Sequence, residues 1–155
     1  MLPKTELRYS WLYNALFVPG FRKSDLKRLR RSCQTFERLY QKHHREILAL
    51  IQKHATPWEE KGILIYLVER GSIISDPITI RYERDAKTML IWLVHELLHR
   101  NLQKAKFRND YRLHAAMNGI TRKILNELPI GLYAQFKVLE ALEEKLKKKY
   151  ARRKQ

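Results

Sequence analysis

The stretch MLIWLVHELLHRNL, residues 89–102, is almost entirely apolar but carries three polar groups near its centre: His95, Glu96 and His99. With Asp85 upstream as a candidate cap, the run predicts a helix from about residue 85 to residue 102. Its apolar residues fall on nearly every side of such a helix, so we expect the helix to be buried. Three polar groups inside a buried helix need a chemical reason.

The spacing of the three polar residues supplies one. Residues four apart on a helix lie on the same face, so His95 and His99 can present two imidazoles to one metal ion. Glu96 can reach a water molecule bound there, and this His-Glu-x-x-His pattern is typical of two zinc ligands and a general base. About 0.02 matches are expected by chance in this composition. The alternative is two core histidines and a salt-bridged glutamate.

The flanking sequence predicts an α+β chain. Apolar residues spaced three and four apart predict a long helix over residues 24–54, ahead of a strand over 61–71. Alternating polar and apolar residues over 75–83 predict a half-exposed strand at a sheet edge. Residues 103–109 are polar and predict a loop, and two further helices are expected over 110–128 and 132–149.

These segments together resemble the zincin metallopeptidases. HELLH preceded by MLIWLV is similar to their active-site helix, ITIRYE (residues 78–83) to their edge strand, and residues 24–54 to their backing helix. The resemblance implies one zincin-like domain over residues 1–155 that hydrolyses peptide bonds in a peptide or protein substrate. It also implies a Zn²⁺ ion held by His95 and His99, with Glu96 polarising the attacking water.

Catalytic zinc sites usually have a third protein ligand, and the zincin subfamilies differ in its source. Leu102 and Ala105 stand where metzincins would need Gly and His, which excludes that pattern. Gluzincins use a downstream Glu, for which Glu127 is the first candidate. SprT-like proteins use a downstream His, and His114 fits that placement, so we favour it. Asp110 is a further alternative, and minigluzincin-type peptidases are the other similar group.

The mechanism also needs a donor to the negative charge that develops on the substrate carbonyl oxygen. Tyr111, Arg112 and Tyr133 are candidates for this role. The sequence does not separate them, since tyrosine is more often a packing residue than a catalytic one.

The formal net charge of +16 predicts attraction to polyanions. Basic residues are concentrated at 22–31 and in a tail at 145–155, so DNA or RNA is a candidate partner through the basic surface and this tail. The alternative function is therefore a basic nucleic-acid-associated protein with a structural or vestigial metal site. The charge is also explained without any partner if these segments are solvated helix faces.

The remaining features concern the N-terminus and the compartment. Residues 1–21 are rich in aromatic side chains and predict an arm or short helix packed against the domain. Cys33 is the one cysteine, which excludes an intramolecular disulfide and fits a reducing cytoplasm. No apolar run approaches the roughly 20 residues of a membrane span, so we expect no membrane contact.

Overall fold

A small sheet and the helices packed against it make the chain α+β, as expected. The computed structural model describes residues 1–102, 110–138 and 140, with only the backbone at residue 75 and residues 110–115. The elements are β1 (Lys4–Arg8), α1 (Trp11–Phe17), α2 (Asp25–His54), β2 (Gly62–Val68), β3 (Ile74–Ser75), β4 (Ile78–Arg81), α3 (Ala86–Leu102) and α4 (Asp110–Glu127). Residues 132–138 are also helical. The predicted loop at 103–109, the final helix beyond residue 140 and the basic tail lie outside the described residues.

The three long helices follow the apolar periodicity of the sequence. The helix predicted over 24–54 is α2, and the one predicted over 85–102 is α3. The helix predicted over 110–128 is α4, which ends just before Pro129. Each of these predictions is confirmed to within two residues, because an apolar face at helical spacing is a strong local signal.

The sheet has the strand order β1-β2-β4-β3. β1, β2 and β4 run parallel, with Leu7 opposite Ile65 and Ile65 opposite Ile78. β3 is a two-residue antiparallel strand that pairs with Ile78 and Thr79 of β4. The aromatic segment at 1–21 therefore contributes a sheet strand as well as a short helix.

The prediction that residues 75–83 form a half-exposed edge strand is wrong. β4 lies between β2 and β3, and Ile78, Thr79 and Ile80 are all buried. Thr79 is covered because α1 lies over that face of the sheet, where the Tyr13 hydroxyl lies 2.7 Å from Thr79 Oγ1. The alternating polar and apolar residues of β4 therefore lie on two faces that are both buried. The edge position belongs to β3.

α1 is fixed to the sheet by one buried side chain. Asn14 Nδ2 donates to the carbonyls of Ser10 and Leu67 at 3.0 and 3.1 Å. Its Oδ1 accepts from the backbone N–H of Glu69 at 2.8 Å. Asn14 is fully buried, so the helix is held at the end of β2 by a completely satisfied amide.

The core lies between the sheet and the layer formed by α2, α3 and α4. The buried apolar residues form one cluster to which all four of these elements contribute. The Tyr40 hydroxyl donates to Thr5 Oγ1 at 2.7 Å and joins α2 to β1. Within the described ranges, no helix is both long and apolar enough to cross a membrane.

Candidate functional site

α3 carries the predicted site and is fixed at its N-terminal end by Asp85. The carboxylate of Asp85 accepts from the backbone N–H groups of Lys87 and Thr88 at 3.1 and 3.2 Å. Partial burial raises the pKa of Asp85, but the hydrogen bonds from Thr88 and Lys87 outweigh it and leave the pKa below its ordinary value. Gln135 Nε2 also donates to this carboxylate, which brings the 132–138 helix against the first turn of α3.

Only one side of α3 is open. Between residues 89 and 98 every residue is buried except Trp92 and His95. His99 follows one turn later and is also half-buried. At helical spacing, Trp92, His95 and His99 form a single stripe, so the two imidazoles lie on the one accessible side of a buried helix.

The two histidines predicted as ligands are brought together. The His95 and His99 ring centroids are 4.8 Å apart, and the ring planes are inclined at 81°. A separation of this size is compatible with two imidazole ligands of a single ion. Both rings are held on rigid backbone, because α3 is packed against α2, α4 and the sheet.

Glu96 lies beside these rings and is buried, with 8% of its surface exposed. Burial raises the pKa of its carboxyl group to about 7. Among the described residues its carboxylate has no hydrogen-bond or ion-pair partner, which is costly for a buried charge. A cation held by the neighbouring imidazoles would favour the ionised form of Glu96 and reduce that cost.

Of the three candidates for a third ligand, the structure describes the side chain of Glu127 but not those of His114 and Asp110. Glu127 accepts from Lys53 Nζ at 2.7 Å and lies 2.6 Å from His54 Nε2, and these contacts lower its pKa. Both carboxylate oxygens are thus engaged with the end of α2, which argues against Glu127 as a ligand. His114 and Asp110 lie in α4, but their side chains fall outside the described part. Among the described side chains, no group of three His, Cys, Asp or Glu could hold a metal ion.

Of the candidate oxyanion donors, only Tyr133 has a described side chain. It is half-buried, and the ammonium of Lys137 lies 4.7 Å from the centroid of its ring. The side chains of Tyr111 and Arg112 fall outside the described part, so these two remain predictions.

Arg100, next to His99, was not identified from the sequence. Its Nε donates to Glu60 at 2.7 Å, and its Nη1 lies 2.5 Å from Asp76. The end of α3 is thereby tied to the segment before β2 and to the turn between β3 and β4. No local sequence pattern marks this pair of contacts, since both partners lie more than twenty residues away.

Comparison with known proteins identifies no relative of this chain. No protein-family model, no curated protein and no solved structure matches the chain. The functional interpretation therefore rests on the side chains of α3 and on general zinc chemistry.

Proposed function

We propose that the protein is a zinc-dependent metallopeptidase of the HExxH type, which hydrolyses peptide bonds in a peptide or protein substrate. The observation that supports it most is the pairing of His95 and His99, 4.8 Å apart on the open side of a buried helix. Glu96 adjoins them on the same helix and is buried. Structural histidines need neither this mutual spacing nor a carboxylate alongside.

The donor set fits zinc. Imidazole nitrogen is a ligand that zinc commonly takes in catalytic sites, usually with three protein ligands. His95 and His99 would supply two of them, and His114 is the proposed third. When bound, the ion would act as a Lewis acid toward a water molecule and the substrate carbonyl.

Glu96 is the proposed general base. From its place beside the imidazoles, its carboxylate takes a proton from the attacking water as the water oxygen bonds to the carbonyl carbon. The same carboxyl then gives that proton to the amide nitrogen as the carbon–nitrogen bond breaks, which releases an amine and a carboxylate. Arg100 has a positioning role, because it holds the end of α3 against Glu60 and Asp76.

The alternative is a structural metal site in a nucleic-acid-associated protein, and the net charge of +16 favours it. In that case the imidazoles would bind a metal, but Glu96 would have no catalytic work. For either function we propose the cytoplasm as the compartment, since Cys33 is a buried free thiol.

The test compares wild type with Glu96→Gln, in metal content and in cleavage of an unfolded, fluorescently labelled protein. Gln keeps the shape of the side chain but cannot act as a base, so we expect zinc retention and a loss of activity of about 10² to 10⁴-fold. Glu46→Gln, an exposed position on α2, is the matched control and should retain activity.

The outcomes separate the two functions. Full activity in Glu96→Gln would rule out the proposed base. Stoichiometric zinc without any cleavage by wild type would favour the structural site. Failure of the wild type to take up zinc on reconstitution would reject both metal interpretations.

A further inference from the structure

The solvent face of α2 carries a continuous row of positive charge. Five exposed basic residues form this row, here called the basic stripe: Lys27, Arg31, Arg38, Lys42 and Arg45. At 100° per residue they fall within a sector of about 60°, on the side of α2 opposite its buried residues. At 1.5 Å per residue the stripe is about 27 Å long.

Other basic residues of α2 are paired, but those of the basic stripe are not. Arg28 Nη2 donates to both carboxylate oxygens of Glu69, and the Arg30 guanidinium lies 5.3 Å from the Tyr9 ring centroid. Among the described residues, no ion pair involves any member of the basic stripe. Its five charges are therefore available to a partner.

The acidic residues nearest to the stripe along α2 are already engaged. Glu37 accepts from the Tyr9 hydroxyl at 2.5 Å, and Glu46 lies 3.3 Å from His43 Nδ1. Neither carboxylate falls within the sector of the basic stripe, which holds charge of one sign only. Ordinary protein surfaces mix both signs, so such a segregated row indicates an anionic partner.

The positive surface continues across a shallow groove to the start of α3. Arg38 and Lys42 line one side of the groove, and Arg84 and Lys87 line the other. Asp85 also lies there, but its carboxylate is occupied by the backbone of α3 and by Gln135. The stripe therefore widens at its centre into a basic patch built from two elements.

We propose that the basic stripe and this groove bind the phosphate backbone of a duplex nucleic acid without reading its sequence. A length of about 27 Å matches about eight base-pair steps, since each strand carries one phosphate per roughly 3.4 Å of helix axis. Gln34, Thr35 and Gln41 lie between the basic residues and are exposed. Amide and hydroxyl groups of this kind commonly join Arg and Lys in contacts to phosphate oxygens.

The chemistry of α2 favours a duplex over two other polyanions. Single-stranded nucleic acid is usually bound through aromatic side chains that stack on bases, and the basic stripe contains none. Membrane-surface helices insert apolar side chains, whereas the apolar face of α2 is buried in the core. The exposed large apolar residues of the described chain all lie outside α2.

The test measures binding of the full chain to a fluorescent 20-base-pair DNA by anisotropy across a range of salt concentrations. The triple variant Arg31→Gln/Arg38→Gln/Lys42→Gln removes three charges from the stripe. The matched control, Lys4→Gln/Lys61→Gln/Lys123→Gln, removes three exposed charges elsewhere. The slope of log K against log salt is negative, and each lost phosphate contact reduces its magnitude by about 0.9. We therefore expect the magnitude to fall by about 3 for the stripe variant only.

Three results would overturn the proposal. Equal losses in both variants would assign binding to net charge, and no loss in the stripe variant would assign it elsewhere, including the tail. Tighter binding to the single strand of the same sequence, or to phosphatidylserine vesicles, would reject the duplex as partner. The substituted positions are exposed, and circular dichroism should report an unchanged fold. The proposed surface includes none of His95, Glu96 and His99, so the proposal does not depend on zinc or on peptidase activity.

Discussion

Individual residues differ in how far their role can be predicted from neighbouring sequence. The proximity of His95, Glu96 and His99 could be predicted because it is local, within about one turn of one helix. Asn14 was not, since its partners at Leu67 and Glu69 are 53 and 55 positions away. An asparagine between aromatic and apolar residues reads as a surface residue of a short helix until the sheet beneath it is known.

Asn14→Ala should be strongly destabilising. The change removes three hydrogen bonds and leaves the Leu67 carbonyl and the Glu69 N–H without their side-chain partner. We expect a loss of about 3 kcal/mol in the free energy of unfolding, measured by urea denaturation. Asn118→Ala, an exposed change on α4, is the control and should stay within about 0.5 kcal/mol of wild type. A cost for Asn14→Ala no larger than the control's would contradict the anchoring role.

Among the elements, α3 was the most predictable, because its apolar run and its capping residue Asp85 are adjacent in the sequence. The sequence could not predict that Gln135 also donates to Asp85, 50 positions away. Nor could it place β4, whose alternation resembles that of a half-exposed strand. The face carrying Thr79 is buried only because α1 lies over it, and that packing depends on a distant part of the chain.

The cap of α3 predicts a pH-dependent contribution to stability. Asp85→Ala should cost about 1 kcal/mol at pH 7, because two backbone N–H groups lose their acceptor. The pKa of Asp85 is lowered in the folded state, so its contribution is complete above the unfolded value of about 3.9. It is lost as the pH falls through the folded pKa, and the difference between wild type and variant should shrink accordingly.

Urea denaturation at pH 7 and at pH 2 to 3 measures that difference. Asp85→Asn is the control, since Asn caps helices about as well as Asp without the charge. It should retain most of the stability at pH 7 and show little of the acid-dependent loss. A cost of Asp85→Ala that stays the same over this range would show that the charge of Asp85 is not involved.

At the scale of the whole molecule, the α+β class and the three long helices were predictable, but the sheet was not. β1 has polar residues at Lys4, Glu6 and Arg8. Only Thr5 and Leu7 lie opposite buried residues of β2, which are Ile63 and Ile65. A parallel strand pair joined by two helices leaves no short-range signal comparable to a hairpin turn. The order of the strands, and hence the burial of β4, therefore follows from tertiary contacts.

Metal removal should lower the stability of the whole chain if His95 and His99 bind zinc. A ligand that binds only the folded state stabilises it by about 2.7 kcal/mol at a free concentration 100 times its Kd. For a domain of this size, that corresponds to a rise of about 5 to 11 °C in the unfolding temperature. Differential scanning fluorimetry with zinc, and then with excess chelator, measures the rise and its reversal. Glu96→Gln should respond like wild type, because Glu96 is not a proposed ligand, whereas His95→Ala/His99→Ala should not respond. An equal response in the double variant would place zinc binding outside α3.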